Sequence, residues 1–122
     1  MNQILITNTK ISRTKLKELC ELWFEDMIKI VVDVRMEWIG MGGELHADAE
    51  EKLLNHGSKQ EDIWGVNFYP WHDPNERIEY TAMINIRPNQ DNTSMEIQEV
   101  NIRNKIKDII ETLVLSPDEK MV

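Results

Sequence analysis

The sequence predicts an α+β domain, a mainly antiparallel sheet built from two hairpins plus a short N-terminal strand and covered on one face by about three helices. Apolar residues recur at helical spacing in separated stretches, and the stretches between them change to a period of two. Those period-two runs alternate apolar with polar side chains, whereas strands of a doubly wound parallel sheet read as continuous apolar runs.

Gln3 to Thr7 is short and aliphatic and ends in the polar run Asn8-Thr9-Lys10, as a brief strand would. Ser12 is a good N-cap, and Ile11 with Leu16 has the spacing of a hydrophobic staple. Leu16, Leu19, Cys20, Trp23 and Met27 then mark one face of a helix from Arg13 to about Asp26. From Ile28 the period becomes two: Ile28, Ile30, Val32 and Val34 face one way, and Lys29, Val31, Asp33 and Arg35 the other, which predicts a half-buried strand. The pattern continues to Gly43, longer than the typical strand of about five or six residues. A reversal is therefore expected at Arg35 to Glu37, although the stretch lacks Gly, Asn and Pro and an unbroken strand is the alternative. Gly40, Gly42 and Gly43 let the backbone bend or approach a neighbour closely as it leaves the sheet.

A second helix is expected from Ala47 or Asp48 to just before Gly57, with Leu45, Ala49, Leu53 and Leu54 inward. Ser58 to Glu61, SKQE, reads as a capping box opening one more short turn. Val66 to Tyr69 and Arg77 to Arg87 form the second hairpin. In its later strand Ile78, Tyr80, Ala82, Ile84 and Ile86 alternate with Glu79, Thr81, Met83, Asn85 and Arg87, and Pro88 ends it. Ile102, Ile106, Ile109, Ile110 and Leu113 predict the last helix, stopped by Ser116-Pro117. Residues 1 to 122 read as one domain with a mobile tail over 118 to 122.

Hydrophobic residues make up 41% of the chain and charged residues 30%, which places it with folded globular domains. Against 14 Lys and Arg stand 22 Asp and Glu, a net charge of -8 that repels a phosphate backbone and disfavours nucleic acid as partner. No apolar run reaches the roughly 20 residues of a membrane span, and the N-terminus has no secretory core, so the cytoplasm is the expected compartment. A lone cysteine, Cys20, excludes an internal disulfide and reads as a small buried hydrophobe.

The densest set of residues not needed for a core lies between Gly42 and Asn67. His46, Asp48 and Glu50 at alternate positions could converge on a divalent ion if extended; in a helix only His46 and Glu50 share a face. The plainer account has Asp48 and Glu50 complementing a helix N-terminus and His46 ending a strand, and it is preferred because no second ligand cluster exists. No cofactor is expected. Ser58, Gln60, Asp62, Trp64 and Asn67 form a second set, joined by Asn85 and Arg87 at the end of the later strand. Arg87 offers a planar donor fork for a carboxylate or phosphate, unless Asp33 pairs with it. Neither a phosphate loop nor a nucleophile elbow is present: GMGG lacks the dinucleotide spacing, and Ser58 is explained as a cap.

The blocks KIVVDV, GGELHADAE, Leu53-Leu54, GSKQEDIWGVN, Tyr69-Pro70 and INIRP with Asn92 resemble a small prokaryotic family described only as a domain of unknown function. The similarity covers about Ile28 to Arg103. It implies no activity and marks Asp33, His46, Asp48, Glu50, Ser58, Gln60, Trp64, Asn67, Asn85 and Arg87 as positions of the pattern.

The reading that results is a binding or interaction module with a polar site near His46 and Arg87. Ser58, Gln60, Trp64, Asn67, Asn85 and Arg87 would take a small polar or anionic ligand, and a homodimer would be compatible. The alternative is a small hydrolase or isomerase in which His46, oriented by Asp48 or Glu50 and assisted by a metal, works as acid or base while Arg87 stabilises negative charge. An interaction protein would instead expose an apolar patch at Trp38, Trp71 or Tyr69.

Overall fold

The computed structural model describes residues 3–122. Its elements are β1 (Leu5–Thr7), α1 (Arg13–Trp23), β2 (Ile28–Asp33), β3 (Trp38–Met41), α2 (His46–His56), β4 (Ile63–Phe68), β5 (Ile78–Glu79) and α3 (Val100–Leu113). The strands form one five-stranded sheet in the order β1-β3-β2-β4-β5. Every neighbouring pair is antiparallel, which is the α+β class the patterning predicts.

Ser12 caps α1 as expected, its Oγ accepting from the Lys15 amide at 3.0 Å. The helix stops at Trp23 rather than Asp26, because Glu25 takes a left-handed φ of 69°. The reversal between β2 and β3 falls at the expected Arg35 to Glu37, and Asp33 supplies the turn chemistry in the absence of Gly, Asn or Pro. Its Oδ1 accepts from the amides of Arg35 at 3.0 Å and Met36 at 2.8 Å, an Asx turn. Glu37 completes the turn at φ 58°.

The helices divide between the two faces of the sheet, which corrects the one-face expectation. Ile28, Ile30 and Val32 of β2, Ile39 and Met41 of β3, and Trp64, Val66 and Phe68 of β4 pack with the stripes of α1 and α3. On the opposite face Val31 and Ile63 meet Ala49 and Leu53 of α2, with Ile4, Ile6, Trp38 and Ile84 around them. Val31 is paired with Gly40 on one side and Gly65 on the other. A Cβ on Gly40 would lie 3.4 Å from both Ala49 Cβ and Leu53 Cγ, so the two glycines form a shallow trough into which α2 settles. Glycine adds nothing to an apolar pattern, and this second buried face therefore read as solvated.

α2 begins at His46, one residue before the expected range, and ends at Gly57, whose φ of 114° only glycine adopts without strain. Asp48 Oδ2 accepts from the Leu45 amide at 3.1 Å at its start. This register puts His46, Ala49 and Leu53 inward and leaves Leu45 and Leu54 exposed, against the expectation for both leucines. The SKQE stretch is not capped by Ser58: a 3-10 turn over Gln60–Asp62 follows Lys59, and Ser58 Oγ instead donates to Asp33 Oδ2 at 2.6 Å.

The later strand is the largest departure. β5 stops at Glu79, and Met83–Asn85 and Pro88–Gln90 form 3-10 turns. The segment doubles back on itself, with the Ala82 amide bonded to the Met95 carbonyl and the Ile97 amide to that of Tyr80. The faces exchange as a result. Asn85 and Arg87 are buried while Ile86 is exposed.

The C-terminal segment lies against the body. Buried Arg77 donates to the carbonyls of Ser116 at 3.1 Å and Glu119 at 2.7 Å, Arg13 donates to that of Lys120, and Met121 packs on the main core.

Candidate functional site

The first half of β4 has no strand beside it on the β5 side, since β5 pairs only with Asn67 and Phe68. Two side chains stand in for that missing strand. The Asn85 carboxamide accepts from the Gly65 amide at 2.8 Å and donates to the Gly65 carbonyl at 2.9 Å, the paired contacts that a neighbouring backbone would make. Arg87 Nη2 donates to the Ile63 carbonyl, Nη1 to that of Gln60 at 2.7 Å and Nε to that of Ile84 at 3.1 Å. Its guanidinium lies over the Trp64 ring, 4.4 Å from the centroid. Burial lowers the Arg87 pKa, and the charge of Glu50 partly restores it. Asn92 holds the pair in place, donating to the Asn85 carbonyl at 2.8 Å.

Arg87 and Asn85 thus face main chain instead of solvent, and among the described residues no carboxylate accepts from Arg87. The Asp33 to Arg87 pair does not form either, because the buried Asp33 carboxylate is taken up by the turn amides and Ser58. Trp64 is a core residue at 2% exposure.

His46, Asp48 and Glu50 sit in the first turns of α2 and diverge. His46 turns onto the sheet, with Nε2 2.8 Å from the Val66 carbonyl. A carbonyl can only accept, so the neutral ring carries its proton on Nε2. Burial pushes the imidazole pKa down to about 4, against the hydrogen bonds its charged form would make to the Val66 carbonyl and Asn67. Asp48 turns back to Leu45, and Glu50 accepts from Gln60 Nε2 at 2.6 Å. In the acid–base reading Asp48 or Glu50 orients His46; the hydrogen-bond partner of the ring is a backbone carbonyl instead. Among the described residues no group of three or more His, Cys, Asp and Glu side chains is placed to hold a metal ion. Cys20 is buried in the core, and burial raises its thiol pKa to about 12.

One cleft does contain residues from the expected set. It opens between the start of α2 and the stretch from Thr81 to Ile84, has a volume of about 360 Å³, and is lined by Lys29, Leu45, His46, Asn67, Met83 and Met95 among others. Arg87 is not part of its lining. The rim is apolar and open to solvent, with Leu45 at 62% and Met83 at 75% exposure. Asn67 Nδ2 donates to Glu79 Oε1 at 2.7 Å, while its buried Oδ1 has no hydrogen-bond partner among the described residues. Lys29 has no ion pair among the described residues, and its ammonium lies 5.3 Å from the centre of the Phe24 ring.

Lys29, Leu45, Met83 and Met95 were missed. Lys29 carries a signal: within β2, Ile28–Asp33, it is the one long cation, on the face opposite Ile28 and Ile30. Leu45 is expected to pack inward and Met83 to lie on the outer face of a strand, and only the register of α2 and the turn at Met83 bring them to the rim. The exposed apolar surface expected at Trp38, Trp71 or Tyr69 is divided: Trp38 packs edge-on against His56, Tyr69 stacks on His72, and Trp71 is 41% exposed.

A family model described as a protein of unknown function (DUF5674) matches residues 5–113. The chain belongs to the DUF5674 family. The match runs from the first residue of β1 to the last of α3, so the sheet, all three helices and the cleft lie within the DUF5674 unit, and the segment gripped by Arg77 lies beyond it. No curated protein and no solved structure matches the chain.

Proposed function

We propose that this protein is a binding module whose site is the cleft between the start of α2 and Thr81–Ile84, where it takes a small ligand. The observation that carries this reading is the pairing of an apolar, solvent-open rim at Leu45 and Met83 with polar groups of Lys29, His46 and Asn67 deeper in the same cleft. Small-molecule sites are built in this way, with apolar walls and a few convergent polar atoms. His46 takes part as a neutral, fixed wall and not as an acid or base. Arg87 and Asn85 support the site from behind by holding β4 in place. The cytoplasm is the compartment this reading assumes.

The neutral fluorophore N-phenyl-1-naphthylamine tests the cleft without involving charge. Its emission is expected to rise on binding the wild-type chain, and Ala47→Trp, at an exposed helix position lining the cleft, is expected to abolish the rise while leaving the melting temperature within a few degrees. A signal that is absent in the wild type, or unchanged by Ala47→Trp, would remove the cleft as the site.

A further inference from the structure

We infer that the ligand of this cleft is a small monocarboxylic acid with an unbranched apolar tail, its carboxylate on the Lys29 ammonium and its tail between Leu45, Met83 and Met95. This rests on the cleft being a binding site and adds the chemical class of what enters it.

The charged lining is what selects the class. Among the described residues, Lys29 is the only formally charged side chain lining the cleft at neutral pH, given a His46 held neutral, and no acid lines it. Lys29 has no ion pair among the described residues; its ammonium lies 5.3 Å from the centre of the Phe24 ring, a cation–π contact that leaves the charge without a counter-ion and open to an anionic ligand. The neighbouring acid Glu79 is held outside the lining by Asn67 Nδ2 at 2.7 Å and the Tyr69 hydroxyl at 3.2 Å. A cation would meet Lys29 with no compensating carboxylate. A dianion such as a phosphate monoester would face the protein's net charge of -8 with a single positive partner, whereas a monoanion is neutralised one for one.

The walls select the tail. Leu45, Ala47, Ala82, Met83, Ile84 and Met95 present no charge, and the two methionines adapt to a flexible chain better than branched residues would. A volume of about 360 Å³ lies at the small end of ligand pockets, which favours a medium-length chain over a larger ring system.

Displacement of N-phenyl-1-naphthylamine by octanoate, octan-1-ol and octylammonium separates the contributions of tail and head group. Octanoate is expected to displace the probe at about one-tenth of the concentration that octan-1-ol requires, a tenfold preference corresponding to about 1.4 kcal/mol, and octylammonium is expected to be the weakest. Lys29→Met should erase the preference for octanoate over octan-1-ol, and Lys29→Arg should retain it. Equal displacement by octanoate and octan-1-ol, or a preference that survives Lys29→Met, overturns the assignment of an acid while leaving the cleft as a site. Failure of the fluorophore itself to bind overturns the underlying reading, so the two failures are told apart.

Discussion

His46 is an ionisable ring held where its charged form is poorly solvated, and that has a consequence for stability. Its pKa falls from an ordinary value of 6.5 when unfolded to about 4 in the folded protein. Between those values the unfolded chain binds a proton that the folded one refuses, so stability drops as pH falls through 6.5 and the full penalty is reached below about 4. The shift corresponds to on the order of 3 kcal/mol. His46→Gln, which keeps an N–H for the Val66 carbonyl, is expected to show a flatter dependence of unfolding free energy on pH between 7 and 4, measured by urea denaturation. Parallel pH profiles for the two proteins would show that His46 is not the group responsible. Asn85 gives a second case. Asn85→Leu strips Gly65 of both partners at the edge of β4 and should cost about 3 kcal/mol, since each buried backbone group left unpaired costs roughly 1–3 kcal/mol. Asn85→Asp should be worse, because it places a carboxylate against the Gly65 and Met95 carbonyls that now receive Nδ2. An urea midpoint unchanged in either variant would mean that the edge does not need its side-chain substitute.

The trough formed by Gly40 and Gly65 sets how closely α2 and the Thr81–Asn85 stretch approach the sheet. The two positions are not equivalent. A Cβ at Gly65 would stand 2.7 Å from Ala82 Cβ and 3.0 Å from His46 Cδ2, a clash between short side chains that have nowhere to turn. Gly65→Ala is therefore expected to cost roughly 1–3 kcal/mol, in the range of overpacked cores. At Gly40 the nearest atoms lie at 3.3 and 3.4 Å, and the Leu53 side chain can yield, so Gly40→Ala should cost less than about 1 kcal/mol. Thermal unfolding of both variants checks the ordering, and a Gly40→Ala protein less stable than Gly65→Ala would contradict it. The same layer forms one wall of the cleft, so Gly65→Ala should also reduce fluorophore binding.

At the scale of the whole molecule, buried Arg77 is central to holding the C-terminal segment against the body. Arg77 is 4% exposed and is satisfied by backbone carbonyls: His72 at 3.2 Å, Ser116 and Glu119. Lys10 adds a salt bridge to the Glu119 side chain, whose pKa it lowers. Deleting residues 117–122 removes the Glu119 carbonyl and the Met121 contact, and is expected to cost roughly 1–3 kcal/mol through the partly unsatisfied Arg77. A truncated chain with the melting temperature of the full one would mean that the segment is as free as its polar composition suggested. Because this segment lies beyond the family match and away from the cleft lining, fluorophore binding should survive the deletion in the folded fraction.

What the sequence determined by itself was the class and the spacing of elements: the Ser12 cap, the α3 stripe and the stop at Gly57 are local, and each follows from periodicity, a capping side chain or one residue's backbone preference, whereas the reversal before Trp38 followed only from the length of the run, and the Asp33 side chain decided it. Tertiary structure decided which polar residues were structural. Asn85 and Arg87 looked like ligand groups because a strand pattern put them on a solvated face, and they are buried because β5 ends early and leaves β4 carbonyls and amides that must be paired. The second buried face was invisible for a related reason. Its close packing is set by two glycines on which one helix settles, and close approach leaves no apolar signature in a sequence. The cleft lining joins residues as far apart as Lys29 and Met95, so it exists only once the register of α2 and the turn at Met83 have placed them together.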